Sequence, residues 1–250
     1  MIGGAWPPAP VSSLSGAQPP AGRVDVFAFA LDPPEERLAA LRDALAADER
    51  ERAARYRFDV HRRAFEACRG AVREILGAHL TLPATAVRFQ YGPQGRPALL
   101  HEGARLDFSV SHSGELGVCA VSRERTVGID VERVRPLDDA LAIAERFFSP
   151  AERAALRTLQ PPALATAFFT AWTRKEAFVK ALGEGLSYPL ADFDVTLLPD
   201  EPARLLRVAG DERAPARWRL AALDPAPGYV AALAASEPID AVACWSWPAR

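Results

Sequence analysis

A chain of 250 residues is long enough for one large domain or two small ones sharing a core, and a make-up of 49% hydrophobic and 25% charged residues excludes wholesale disorder. The formal charge of −2 excludes a global field drawing the protein to nucleic acid or an anionic membrane, so any anion it binds needs a local basic cluster. Cys68, Cys119 and Cys244 are scattered and form no CxxC pair, which argues against a disulfide framework or zinc site and fits a reducing cytoplasm.

Residues 1–22 are rich in Pro, Gly, Ala and Ser, have no signal-peptide pattern, and read as a loose tail. Val24 to Leu31 is a strand by its β-branched and aromatic content, and a helical pattern follows from Pro34 to Leu45. Asp48 to Leu80 reads as two arginine-rich helices, with Phe65, Val72, Ile75 and Leu76 marking a core face. Val87 to Tyr91 is a short strand, Gly92 to Gly95 a turn. Leu106 to Val110 and Leu116 to Ser122 are strands joined through a turn at Ser111-His112-Ser113-Gly114.

Beyond a charged turn at Arg123 to Arg125, Val127 to Val131 is a strand and Leu137 to Phe148 a helix. Ser149-Pro150-Ala151-Glu152 has the form of a helix start: a Ser cap, Pro at the first position, and Glu completing the capping box. A long helix spans Ala163 to Leu182 and stops at Gly183. Phe193 to Leu198, Trp218 to Leu223, Tyr229 to Ala235 and Ala241 to Trp245 read as a final antiparallel sheet. Strands and helices mix without βαβ alternation, so the expected class is α+β. No apolar run reaches the ~20 residues that span a bilayer.

Four constellations carry candidate chemistry. In Gly128-Ile129-Asp130-Val131-Glu132 the strand period places Asp130 and Glu132 on one face, where two close carboxylates call for a cation or strong donors; a hard divalent ion suits them. In Trp172-Thr-Arg-Lys-Glu-Ala-Phe-Val-Lys180, Trp172, Glu176 and Lys180 share a helix face and Lys175 lies beside it. Ser109-Val-Ser-His-Ser-Gly114 supplies hydroxyls and an imidazole at a turn able to cradle a phosphate. The arginine-rich helices and Gly95-Arg96-Pro97 supply positive charge. Taken singly, these also read as a solvent-facing strand edge, an amphipathic helix, a polar hairpin and a solvated helix face.

In this order the blocks resemble the Sfp-type 4′-phosphopantetheinyl transferases. The likeness rests on Gly95-Arg96-Pro97, Phe108-Ser-Val-Ser-His-Ser-Gly114, Val127-Gly-Ile-Asp-Val-Glu132, Arg146-Phe-Phe-Ser149, Trp172 to Lys180 and Gly183-Glu-Gly-Leu-Ser187. It implies two similar α+β halves about a pseudo-twofold axis, residues 23–126 holding the coenzyme A nucleotide and residues 127–250 the magnesium and catalytic helix, in a cytoplasmic monomer.

The resemblance places Mg2+ on Asp130, Glu132 and Glu176, with Ser111, His112, Lys175 and Lys180 at the coenzyme A phosphates. Arg96 and Pro97 would edge the adenine and ribose pocket, and Arg63 and Arg69 would meet the 3′-phosphate. The family often has Lys where Arg96 stands. Trp172 would pack the helix that carries Glu176. Asp130, Glu176 and Lys180 would be catalytic, with Glu176 also a candidate general base. The partner would be an apo acyl, peptidyl or polyketide carrier protein, received near Arg146, Arg153 and Arg157. A metal-dependent nucleotide phosphohydrolase and a non-catalytic coenzyme A or carrier-protein binding module are the rivals. Release of 3′,5′-ADP without a carrier would mark the hydrolase, and the intact acids and Lys180 speak against the binding module.

Overall fold

The computed structural model describes residues 6–10, 18–101, 103, 105–198 and 201–247. Strand β1, Arg23–Ala30, is apolar on both faces because it is covered on both: Phe27 and Phe29 point to one core and Val24, Val26 and Ala28 to another. It lies inside a four-stranded sheet of order β11-β1-β5-β4, with β4 at Leu106–Ser113, β5 at Leu116–Arg123 and β11 at Ala241–Ser246. A second sheet of order β6-β10-β9 combines Val127–Arg133, Tyr229–Ser236 and Trp218–Leu223.

The sheets face one another through Val26, Val118, Ile129, Val131 and Leu233. Helix α3, Asp59–Leu80, covers the far side of the first sheet, after α1 at Glu35–Asp43 and α2 at Ala47–Ala54. Helix α6, Ala163–Leu182, covers the far side of the second. The layers therefore run helix, sheet, sheet, helix, a mixed α+β architecture as expected. In the chain between β6 and α6 come α4, Ala140–Phe147, and α5, Pro150–Arg157, whose start has the expected box: Glu152 N donates to Ser149 Oγ and Ser149 N to Glu152 Oε2. Small additions are the hairpin of β2, Phe89–Tyr91, with β3, Pro97–Leu99, and the pair β7, Phe193–Val195, with β8, Leu205–Val208.

Three expectations need correction. Ala241–Ser246 does not join a C-terminal sheet; it runs parallel to β1 and returns the chain to the first sheet. Phe193–Val195 pairs with β8 alone and not with β9 or β10. The Ser111-His112-Ser113 segment is not a turn but the end of β4, with His112 opposite Gly117, and the chain reverses only at Gly114 and Glu115. The described part of the N-terminal tail lies along β11: Pro8 bridges Ser246 and Ala9 is buried. Residues 1–5 and 11–17 of that tail lie outside the described residues.

The close approach of α6 to β6 positions the site. At Gly128 an added Cβ would stand 2.0 Å from Ala177 O and 2.4 Å from Ala181 N, so only glycine lets the helix backbone rest on the strand. Gly128→Ala should therefore push α6 off β6. The expected loss is about 2 kcal/mol or more, a fall of roughly 4–8 °C in Tm for a chain of this size; an unchanged calorimetric melt would contradict the packing.

Candidate active site

Alternation along β6 buries Ile129 and Val131 between the sheets and turns Gly128, Asp130 and Glu132 toward α6. From α6, Lys180 reaches down: its Nζ donates to Asp130 Oδ1 at 2.7 Å and to Ser111 Oγ at 2.9 Å. Ser111 Oγ itself donates to Asp130 Oδ1 at 2.7 Å. Glu176, one turn earlier, shares this environment. Burial holds its carboxyl above the usual range, and the Asp130 and Glu132 charges push the same way against Lys180. Glu132 is also raised, first by burial, with the Asp130 charge adding to it. The Glu176 carboxyl is thus within electrostatic reach of both acids of β6. Trp172 lies against Phe147, Phe148 and Phe168, fixing the start of the same helix face.

Two carboxylate oxygens in this group, Asp130 Oδ2 and Glu176 Oε1, are buried and accept no hydrogen bond. Buried carboxylate oxygens that lack donors are costly unless a cation meets them. Among the described residues no group of three His, Cys, Asp or Glu side chains is arranged to hold a metal ion. The donor set nonetheless fits a small hard cation that keeps part of its shell from water and substrate, as Mg2+ does.

The acids are tied to the first sheet by side chains of β4, edge against edge. Asp107 Oδ2 accepts from Val127 N (2.8 Å) and Ser109 Oγ from Ile129 N (3.1 Å). Ser111 reaches Asp130, and Ser113 Oγ donates to Glu132 Oε2 at 2.7 Å while accepting from Arg133 N at 3.1 Å. Partner numbers rise together, so the strands run the same way. Every second residue of β4 takes part. From sequence, Ser109 and Ser113 stand only as hydroxyls of a candidate phosphate cradle and Asp107 is not singled out; the period of two along β4 was the available signal.

Arg96 crosses the same seam. Its guanidinium donates to Asp107 (2.8 and 3.0 Å), Val127 O (2.9 Å) and Ala181 O (3.0 Å), joining the β2–β3 hairpin to β6 and to the end of α6. With Pro97, Ser109 and Lys180 it lines a cavity of about 220 Å3.

A larger cavity of about 490 Å3 opens beside it, lined by Arg52, Tyr56, Phe65, Arg69, Tyr91, Pro97 and His112. Arg69 is aimed there by Glu49 (Nε to Oε1, 2.7 Å) and the Tyr91 hydroxyl (3.0 Å), with its guanidinium 4.6 Å from the Phe89 ring centre. His112, exposed at the cavity wall, is held below its ordinary pKa, first by partial desolvation and then by the Lys180 charge, which favours the neutral imidazole.

Two expected residues are elsewhere. Arg63 does not line this cavity; it binds Asp32 (3.0 Å), Glu35 and Pro33 O on the far flank of α3, while Arg52, not singled out from sequence, takes a place at the cavity. Lys175 does not face the acids. It is fully buried behind α6, donating to Glu152 (2.8 Å), Leu190 O (2.8 Å) and Phe193 O (2.6 Å), with its ammonium 4.1 Å from the Phe193 ring centre. One residue along a helix is a 100° step, enough to turn Lys175 into the core while Glu176 faces the cleft. Burial pushes its pKa down, and Glu152 opposes that.

Lys175→Met strands the buried Glu152 carboxylate and should cost about 3–5 kcal/mol. Adding Glu152→Gln removes the buried charge but turns an amide NH2 toward the Ser149 or Val195 N–H, so it should recover only part of that loss in urea denaturation. A single variant as stable as the parent would refute the strut.

The residues match family models described as "4′-phosphopantetheinyl transferase, N-terminal" over 30–124 and "4′-phosphopantetheinyl transferase superfamily" over 126–234. The 4′-phosphopantetheinyl transferase HetI of Nostoc sp. is 41% identical over 213 residues, 84% of this chain and 86% of that protein. Psf-1 of Bacillus pumilus, a 4′-phosphopantetheinyl transferase, is 33% identical across 88% of this chain and 95% of its own. The transferase Sfp of Bacillus subtilis is 32% identical across 67% and 71% respectively.

Proposed function

The chain belongs to the 4′-phosphopantetheinyl transferase superfamily and is such a transferase, and on that footing we propose that it moves 4′-phosphopantetheine from coenzyme A to a serine of an apo carrier protein with Mg2+ on Asp130, Glu132 and Glu176. The observation that carries the site assignment is the pair of unpartnered buried oxygens, Asp130 Oδ2 and Glu176 Oε1, beside the Lys180 ammonium and next to a cavity edged by Arg52, Arg69 and His112.

In the transfer, the acceptor serine oxygen forms a bond to the phosphorus joined to pantetheine. The bond from that phosphorus to the bridging oxygen breaks, and 3′,5′-ADP leaves. Such displacement depends on charge neutralisation and in-line positioning more than on covalent chemistry. When bound, the divalent ion supplies a Lewis acid for the phosphoryl oxygens. Lys180, already at the junction of β4, β6 and α6, stabilises the charge that grows on the leaving oxygen. Glu176, with its raised pKa, is suited to take the serine proton. Ser111 and the neutral His112 offer hydrogen bonds to the phosphates without adding charge; Arg69 and Arg52 supply that for the nucleotide end.

Carrier proteins are usually acidic, so a basic surface would receive them. Arg153 and Arg157 both pair with Glu145, so the docking reading is supported by Arg146 stacked over the exposed Phe147. Among the described residues no helix is long and apolar enough to cross a membrane. One chain carrying both halves supports a monomer, and three unbridged cysteines support a reducing cytoplasm. Fatty-acid, polyketide and nonribosomal-peptide carriers, including those of secondary metabolism, all present the serine this chemistry needs.

Incubation of several apo carriers with the enzyme, Mg2+ and coenzyme A should add the phosphopantetheine mass to at least one of them in mass spectrometry; rapid 3′,5′-ADP release with no carrier present would point to a hydrolase instead. Asp130→Ala and Glu176→Ala should each lower turnover by at least about 10²-fold in a protein with an intact fold by circular dichroism, and retained turnover in either would contradict the acid assignment. Lys180→Ala should lower kcat more than it raises KM for coenzyme A, and an unchanged kcat would remove its role at the leaving oxygen.

A further inference from the structure

The hydroxyls of β4 make two kinds of contact. Ser109 meets β6 only at a main-chain N–H. Ser113 meets it twice, donating to the Glu132 carboxylate and accepting from Arg133 N. A serine hydroxyl has one proton and two lone pairs, so both bonds form together. The amide then fixes the oxygen, and the proton is left aimed at the carboxylate.

Ser113 is itself firmly mounted. Its backbone pairs with Leu116 in the β4–β5 hairpin, and the tip is tied to the second sheet by Glu115 N donating to the Tyr229 hydroxyl at 3.2 Å. Tyr229 in turn pairs with Arg133, the residue after Glu132. Glu132 is a long side chain next to the like charge of Asp130 on the same strand face. Repulsion and the entropy of a free carboxylate both favour swinging it away from Asp130. Ser111 offers Asp130 a matching hydroxyl two residues back along β4.

We infer that Ser113 is a positioning residue that holds the Glu132 carboxylate beside Asp130, so that the first sheet sets the geometry of the acid cluster carried by the second. Ligating carboxylates held by outer hydrogen bonds lose metal affinity when the outer partner is removed. The inference rests on the metal reading above.

The test measures Mn2+ binding by electron paramagnetic resonance in the presence of coenzyme A, alongside kcat, KM and thermal melting. Ser113→Ala should weaken Mn2+ binding and lower kcat by about tenfold, with KM for coenzyme A within about twofold, and Ser113→Thr, which keeps the hydroxyl, should restore both. Ser122→Ala, which removes a buried hydroxyl bonded to Arg23 O within the first sheet, should lower Tm yet bind Mn2+ as the parent does. Parent-like Mn2+ binding in Ser113→Ala overturns the inference, as does a loss that Ser113→Thr fails to restore or one that Ser122→Ala reproduces. Asp130→Asn separates the two readings: if it leaves Mn2+ binding intact the metal assignment itself fails, whereas if it abolishes binding while Ser113→Ala does not, only the role of Ser113 falls.

Discussion

One ammonium group joins three elements. Lys180 Nζ, near the end of α6, bonds Asp130 on β6 and Ser111 on β4. Around it lie three carboxylates; burial first, and then the Asp130 charge, raises the proton affinity of Glu132 and Glu176. Remove the cation and like charges face one another in a partly dry cleft, where they attract protons or separate. The lysine is thus a structural counter-ion as the site stands, and a ready source of positive charge once a polyanion arrives. The same residue serves both because the cleft lies where the two sheets meet.

That meeting is made by side chains. β4 and β6 are both sheet edges, and an edge normally exposes unpaired N–H and C=O groups. Direct backbone pairing would fuse the sheets at the usual strand spacing of about 4.8 Å. Instead Asp107 and Ser109 accept from β6 amides, while Ser111 and Ser113 reach its acids. The amides are satisfied, and the acids are fixed from outside their own sheet. Arg96 closes the end of the seam where Gly183, in the left-handed conformation at φ +76°, terminates α6 and lets the chain turn away.

Legibility followed the range of the interactions. The face shared by Asp130 and Glu132 could be read because a strand repeats every two residues, and the face shared by Trp172, Glu176 and Lys180 because a helix brings i and i+4 together. Lys175 could not be placed that way. Helix α6 buries residues on nearly every side, so its periodicity does not say which flank meets solvent; the answer lies with Glu152, Leu190 and Phe193, distant in sequence. The parallel pairing of β11 with β1 joins residues more than two hundred positions apart, and nothing local marks it. Ser-His-Ser-Gly suggested a turn because serine and glycine favour turns, yet the neighbouring strand kept the first three residues extended.

The arginines show why counting charge does not locate a binding site. Arg63 is neutralised by Asp32 and Glu35 on its own flank, Arg153 and Arg157 divide one acid, Glu145, between them, and Arg73 is buried against Glu49. Arg69 shares Glu49 with Arg73, so one carboxylate serves two guanidinium groups and the local balance stays positive. The Tyr91 hydroxyl and the Phe89 ring then hold Arg69 in place without cancelling its charge. A chain of net charge −2 can therefore still aim guanidinium groups into a cavity: Arg52 and Arg69 line it beside Asp48 and Glu49, oriented but not each matched by an acid of its own. Which arginine meets an anion is decided by how many acids surround it, and that number is set by the fold.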